Sequence, residues 1–327
     1  MNRPLALGVD IGGTKIAIGV VDEDGRLLEH ARWATDHSLG PPGILADIVC
    51  RARRLLDELD IEPTALTAVG VGCGGPLDRA RGRVLSPPNL PGWDDLDVLS
   101  PFRDAFGIPA FLENDVNAAA WGEKQFGIGR NVSDMLYVNL GTGIGGGLIV
   151  NGRLLHGVGD GAGEIGHTTV LPQGPRCSCG NRGCLEVLAS GTGIARRARQ
   201  VLREGRFSLI RDLAGGELDR VTAQHVLEAT RRGDPLACYL WQETVTYIAI
   251  AVGNAVSLLA PELIVFGGGV AAAGELLFKP LRKRLARRVR LVPVEHIPIV
   301  PASLGDQVGI LGAAAIAFSE EHTHNQQ

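Results

Sequence analysis

No block of one charge runs through the 327 residues: 32 basic side chains stand against 36 acidic ones, a formal net charge of −4. A nucleic-acid or anionic-membrane surface would need a basic excess that is missing here. Long hydrophobic runs are missing too. The longest apolar stretch, Tyr247 to Ala260, contains Asn254 and Ser257. It falls short of the ~20 residues of a membrane span and reads as a buried helix. Met1 leads through Asn2, Arg3 and Pro4 straight into a strand, so no signal peptide is expected. The first glycine turn is neither a Walker A loop, which requires Gly-Lys-Ser/Thr, nor a Rossmann fingerprint, which requires a following helix.

Cysteine is scarce but uneven. Cys50, Cys73 and Cys238 are scattered among apolar neighbours and read as core residues, whereas Cys177, Cys179 and Cys184 crowd together downstream of His167. Without a secretory segment, that clustering argues for metal over disulfides and for a reducing cytoplasm. One His and three Cys make a closed four-ligand set for structural zinc, with no position open for catalysis. A cluster of reduced thiols is the alternative. Glu164 and Glu186 flank the cluster and are free to face a cleft.

Glycine is what the chain has in excess. Its 45 glycines are roughly twice the usual ~7% share, with a globular balance of apolar and charged residues around them. Leu5 to Asp10 reads as a strand, Ile11-Gly12-Gly13-Thr14-Lys15 as a turn, and Ile16 to Val21 as a second strand. Such a hairpin can lay backbone N–H groups against phosphate oxygens, and Asp10 could hold a metal-bound water. An ordinary hairpin with an acidic edge is the alternative. Met135 to Leu140, the turn Gly141-Thr142-Gly143-Ile144-Gly145-Gly146-Gly147 and the strand Leu148 to Val150 repeat the pattern, a weak internal repeat. Five glycines in seven residues are hard to explain by packing. Asn151-Gly152 is a hairpin turn.

Between the repeats stands Glu113-Asn114-Asp115-Val116-Asn117, after an apolar run and before a helix-forming one. Asn and Asp favour helix N-caps. With glycine turns and a Cys/His cluster reading as convergent on it, the stretch also offers Asp115 as a general base. Two other strand ends carry glycines. Cys73-Gly74-Gly75-Pro76 is a turn or backbone suited to a polyol, and Gly267-Gly268-Gly269 is a floor for an adenine ring or close helix–strand packing. Asn89 and Trp93, in a proline-rich segment, read as a sugar contact and a packing wedge. Asp234-Pro235 opens a helix to about Leu259. Gly191 to Gly233 reads as short helices with solvated Arg faces, Gly309 to Phe318 as a small-residue helix, and Ser319 to Gln327 as a frayed tail.

With these pieces the chain resembles the ROK family (repressors, uncharacterised open reading frames and sugar kinases), in its glucokinase-like kinase branch. The residues that carry the resemblance are Asp10-x-Gly-Gly-Thr-Lys15, Glu113-Asn-Asp115, Gly141 to Gly147, Glu164-x-Gly-His167 and Cys177-x-Cys-Gly-x-x-Gly-Cys184-Leu-Glu186. It implies an α/β, two-lobed actin-like (sugar kinase/ribonuclease H-like) fold with a central cleft. The expected lobes are residues 1–116 joined by the C-terminal helix 309–327, and 117–308 with the zinc clasp.

The resemblance implies ATP, Mg²⁺ and structural Zn²⁺. By position, Asp115 is the expected catalytic base, while Gly75, Asn89, Asn114, Asp115, Glu164, His167 and Glu186 are expected to hold the sugar. Asp10, Gly12, Gly13, Thr14, Lys15, Gly141, Thr142, Gly143 and Gly145 fall on the phosphate side, and Gly267, Gly268 and Gly269 on the adenosine side. His167, Cys177, Cys179 and Cys184 match the zinc ligands. The expected activity is ATP-dependent phosphorylation of a hexose at the 6-hydroxyl, glucose first. An N-acetylglucosamine, N-acetylmannosamine, mannose or fructose kinase is the alternative, and a non-catalytic sugar sensor the reading from another class. Polyphosphate as donor has only the basic stretch Lys279 to Arg290 as a hint. A cytoplasmic homo-oligomer, dimer or tetramer, with neither nucleic-acid nor membrane partner is expected.

Overall fold

Strand β1 (Leu5–Ile11) places Leu7, Val9 and Ile11 on one face and Ala6, Gly8 and Asp10 on the other, because side chains alternate along a strand. That alternation organises the first half of the chain. The structure is a computed structural model and describes residues 3–324. In chain order there follow β2 (Lys15–Asp22), β3 (Leu27–Ala34), α1 (Gly40–Glu58), β4 (Leu66–Cys73), β5 (Leu77–Asp78), β6 (Arg83–Val84), β7 (Leu96–Asp97), α2 (Ser100–Phe106), β8 (Ala110–Asn114) and α3 (Asp115–Gln125). Next come β9 (Met135–Leu140), β10 (Ile144–Val150), β11 (Arg153–Leu154), α4 (Leu185–Ala189), α5 (Gly191–Arg203), α6 (Leu209–Leu213) and α7 (Ala223–Arg231). The chain ends with α8 (Pro235–Leu259), β12 (Leu263–Gly267), α9 (Glu275–Arg288), β13 (Ile299–Pro301) and α10 (Val308–His324).

The chain divides into two compact units: Met1–Ser133 with Gly147–Ala162 and Ala302–Gln327, and Asp134–Gly146 with Gly163–Pro301. This partition differs from a cut at residue 116, since α3 lies in the first unit against α10.

In the first unit the sheet runs β3-β2-β1-β4-β8, with β1 and β2 antiparallel and β1, β4 and β8 parallel. One face packs Leu7, Val9, Val69 and Val71 with Ile44, Ile48 and Leu55 of α1, Phe102 of α2 and the fully buried Trp93. The other face is built from small residues. Gly19, Gly8 and Gly70 stand side by side across three strands. A Cβ on Gly8 would lie 2.2 Å from the Ile310 carbonyl oxygen, and one on Gly70 1.8 Å from that of Ala313. Helix α10 therefore rests its backbone on the sheet, which only glycine allows. The chain's return is pinned by buried Glu123, which accepts from Ser303 N (2.7 Å), Ser303 Oγ (2.7 Å) and Leu304 N (2.9 Å). The helix expected from Gly309 to Phe318 continues to His324, so Ser319 to His324 are helical rather than a tail. Asn325 to Gln327 lie outside the described residues, as do Met1 and Asn2.

The second sheet, β11-β10-β9-β12-β13, has the same plan: β10 and β11 are antiparallel, and β9, β12 and β13 parallel. The internal repeat is a repeat of topology. Strand β10 starts at Ile144 and absorbs three of the glycines expected in the turn, because a strand tolerates them where another backbone comes close. In the second unit, α8 carries its Asp234 cap on Ala237 N at 2.8 Å, with Pro235 at its first position. Not every arginine nearby is solvated. Arg197 is largely buried, 2.6 Å from Glu243, and Arg199 donates to the Val221 carbonyl at 2.7 Å. Cys50 is exposed rather than core, because its apolar sequence neighbours lie on the opposite face of α1. Among the described residues no helix is long and apolar enough to cross a membrane.

Candidate active site and metal centre

Three parallel strands of the first unit end level. Register pairs Asp10 with Gly72 and Gly72 with Glu113, then Ile11 with Cys73 and Cys73 with Asn114. The carboxyl ends of such strands are where α/β sheets bind ligands. Asp10, Gly74-Gly75 and Asn114-Asp115 emerge there together.

Asn114 is a helix cap: its Oδ1 accepts from Val116 N (2.9 Å) and Asn117 N (3.2 Å). Capping occupies that oxygen and leaves the amide donor, which a Cβ on Gly75 would approach at 3.5 Å. Asp115 follows as the first residue of α3, exposed, with Oδ1 accepting its neighbour's Val116 N–H at 2.9 Å. Burial, and then the negative charge of Asp115, pushes the pKa of Asp10 up to about 6, against the pull of Lys15 and Arg32. Two carboxylates converging at the ends of strands in this way form a place a cation would relieve.

The glycine turn after β1 is braced by its own unit. Gly12 N donates to Lys15 O at 3.0 Å, Thr35 Oγ1 donates to Gly12 O at 2.7 Å, and His37 Nε2 to Gly13 O at 2.8 Å. A Cβ on Gly13 would stand 2.1 Å from the Asn89 carbonyl oxygen. Asn89, an expected sugar contact, thus meets the turn through its backbone. Thr14 and Lys15 are exposed at the tip.

Beneath Asn114 lies a buried cluster that sequence reasoning missed. Glu113 Oε1 accepts from Asn117 Nδ2 (3.1 Å) and Asn114 N (2.9 Å), and Oε2 faces His156 Nε2 and Arg79 Nε, each at 2.8 Å. The Arg79 Nε contact is an ion pair too poorly aligned to count as a hydrogen bond. Arg79 also reaches Glu320 of α10 at 3.0 Å. No local pattern marks Arg79 or His156; only the fold brings them to Glu113.

In the second unit, His167, Cys177, Cys179 and Cys184 place their ligand atoms within 4.8 Å of one another. The Cys179 and Cys184 sulfurs are 3.7 Å apart, and Cys177 Sγ is 3.6 Å from His167 Nδ1. A tetrahedral ion with ~2.3 Å bonds to sulfur would space sulfurs ~3.8 Å apart. Burial first, then the Cys179 and Cys177 sulfurs, pushes the Cys184 thiol up to about 12, so three thiolates here call for a cation. The residues fit a metal ion. His167 Nε2 lies 3.9 Å from the Glu164 carboxylate.

The second glycine turn closes with Gly141 N donating to Gly143 O at 3.0 Å. Gly145 lies beyond it, inside β10. A cavity of about 510 Å³ opens beside the turn, lined by Gly141, Thr142, Thr192, Gln224, Trp241 and Gly269 among others. Of the three glycines after β12 only Gly269 lines it. Gly267 is needed under the Tyr137 ring, where a Cβ would fall 2.1 Å from the hydroxyl, and Gly268 has φ +83° against Leu140. The cavity wall from Gly191 to Leu227 was not foreseen. Its nearest signal was Ser190, whose side chain caps α5 at Gly193 N.

A model of the ROK family matches residues 6–320. A glucokinase of Thermotoga maritima is 39% identical over 97% of this chain and 98% of its own length. The crystal structure of a ROK family glucokinase from Streptomyces griseus, in complex with glucose and AMPPNP, is similar with a TM-score of 0.81 and 37% identity. That likeness covers 96% of this chain and 99% of that one. A xylose repressor of Caldicellulosiruptor bescii is 31% identical over 79% of this chain and 64% of its own length.

Proposed function

Because the chain belongs to the ROK family, we propose that it is an ATP-dependent hexokinase that phosphorylates a hexose, glucose first, at the 6-hydroxyl. The observation that carries the reading is the delivery of Asp10, Gly75 and Asn114-Asp115 to the shared carboxyl end of three parallel strands. Full-length likeness to glucokinases at 37–39% identity supports the substrate.

Phosphoryl transfer asks a protein for positioning and charge stabilisation, plus a group that takes the hydroxyl proton. Asp115 is that base, exposed to solvent at a helix start while Asn114 caps the helix. Gly75, Asn89 and Asn114 hold the sugar, the last through its spare amide donor. Glu164 and Glu186 accept sugar hydroxyls, and His167 donates from Nε2 because Nδ1 faces the cysteines. Gly12, Gly13, Thr14 and Lys15, with Gly141 to Gly145, hold the nucleotide phosphates. The cavity walled by Thr192, Gln224 and Trp241 takes the adenosine. Asp10 would hold Mg²⁺, which when bound neutralises charge on the β- and γ-phosphates. The metal at His167, Cys177, Cys179 and Cys184 is structural zinc, supported by the closed four-ligand set. The three thiols in that set favour a reducing cytoplasm. We infer that the protein assembles as a homo-oligomer.

The test is a coupled assay of ADP formation with glucose, 2-deoxyglucose, mannose, fructose, N-acetylglucosamine and N-acetylmannosamine. Glucose should be best, and 2-deoxyglucose worse by at least ~10-fold in kcat/KM, since a site built on hydroxyl contacts leaves polar groups unpaired when one is missing. A clear preference for an N-acetylhexosamine would move the chain to that branch. The repressor among its relatives keeps a second reading in view, a sugar sensor without turnover. No sugar-dependent ADP formation with any of the six would favour it.

A further inference from the structure

Ile144, the first residue after the second glycine turn, meets the segments that carry the metal ligands through both its backbone N–H and its carbonyl oxygen. Its N–H donates to Glu186 Oε2 at 2.9 Å. Its carbonyl oxygen lies against Gly166, where a Cβ would come within 2.0 Å. Gly166 precedes the ligand His167, and Glu186 follows the ligand Cys184 by two residues. The two segments are stitched by Leu185 N donating to Thr168 O at 3.0 Å and by a bridge between Thr169 and Cys184.

The same stretch reaches the turn twice more. Gly191 N donates to Gly141 O at 2.9 Å, and Thr192 Oγ1 to Thr142 O at 2.8 Å. The Glu186 carboxylate also abuts the turn itself, since a Cβ on Gly143 would fall 2.6 Å from Oε2. A hydrogen bond from a peptide N–H to a carboxylate is among the stronger ones available to a turn. The metal centre and the glycine turn are therefore one mechanical piece, joined at Glu186.

We propose that Glu186 is a positioning residue for the nucleotide turn, and that the metal clasp, acting through Glu186 and Gly166, sets affinity for nucleotide as well as for sugar. The inference rests on the reading of Gly141 to Gly145 as a phosphate site. Glu186 then serves with both carboxylate oxygens, Oε2 on Ile144 and Oε1 left for a sugar hydroxyl.

The experiment compares the metal-loaded wild type, the same protein after chelation, Glu186→Gln and Glu186→Ala. It reads two quantities: hydrogen exchange of the Ile144 amide, and the Kd of a nonhydrolysable ATP analogue by calorimetry. Glu186→Gln keeps an acceptor oxygen, so Ile144 protection and the analogue's Kd should stay within ~2-fold of wild type while glucose binding weakens. Glu186→Ala should lose the protection and raise the analogue's Kd by ~10-fold with metal content unchanged. Chelation should produce the same two changes, and added zinc should reverse them. Should Glu186→Ala fail to fold, Glu186→Asp, whose carboxylate is one methylene short of Ile144, should shift both readouts in the same direction. Unchanged Ile144 exchange and Kd in a folded Glu186→Ala protein, or after metal removal, would overturn the inference alone. A wild type that binds no analogue would overturn the nucleotide reading and this inference with it.

Discussion

Two glycine turns, each following the first parallel strand of a five-stranded sheet, are held in different ways. The turn at Gly12-Gly13 leans on segments that carry no metal ligand: Thr35 and His37 donate to its carbonyls, and the Asn89 backbone closes over Gly13. The turn at Gly141 to Gly143 leans on Glu186, Gly191 and Thr192, and Ile144 after it on Gly166 and Glu186, residues close in sequence to the Cys/His cluster. The sheets repeat one plan, yet the first turn is braced by the side chains of Thr35 and His37 with the Asn89 backbone, and the second by residues that adjoin the metal ligands in sequence. Topology fixes where a turn emerges from a sheet, and insertions between the repeated strands decide what steadies it. The chemical groups divide along the same line. The carboxylates Asp10 and Asp115 belong to the first unit, and the metal centre to the second.

That contrast can be broken by substitution. Asp115→Asn, in the first unit, should lower kcat by ~10²-fold or more with little change in KM for glucose, because proton acceptance alone is removed. A near-normal kcat would reduce Asp115 to a residue of the helix start. Gly13→Ala should come next, costing ~10²-fold in kcat/KM for ATP. Its methyl group meets the backbone oxygen of Asn89, which cannot swing aside, and a misplacement of about 1 Å can cost that much. Steady-state kinetics with ATP varied reads it. Gly143→Ala should be milder, ~10-fold in the same quantity. There the obstacle is the end of the Glu186 side chain, which can turn away at the cost of its bond to Ile144. Equal losses at Gly13 and Gly143 would erase the difference between the two braces.

Much of this was legible in the sequence because the informative residues are contiguous. Apolar runs ending in glycine announced β1, β4, β9 and β12, and the Asp234-Pro235 start of α8 was visible in two letters. The metal cluster could be read because its four ligands fall within 18 residues, His167 to Cys184. What lay hidden was assembled by the fold from distant segments. The cavity draws on the turn at Gly141, on α5 and α7, on Trp241 and on Gly269, and no window of sequence contains them together. The same holds for Arg79 after β5, Glu113 in β8, His156 after β11 and Glu320 in α10. Glycine composition also blurred two meanings. Gly267 and Gly268 serve packing, while their neighbour Gly269 lines the cavity, a distinction made by Tyr137 and Leu140 across the sheet.

The central claim, that the strand-end carboxylates serve phosphoryl transfer from ATP to a hexose 6-hydroxyl, is tested most directly by phosphorus NMR of the product made from glucose and ATP. The account predicts ADP and a single new phosphomonoester, coupled to the two protons on C6 of the sugar. A phosphate on another carbon, or ADP accompanied only by inorganic phosphate, would contradict it.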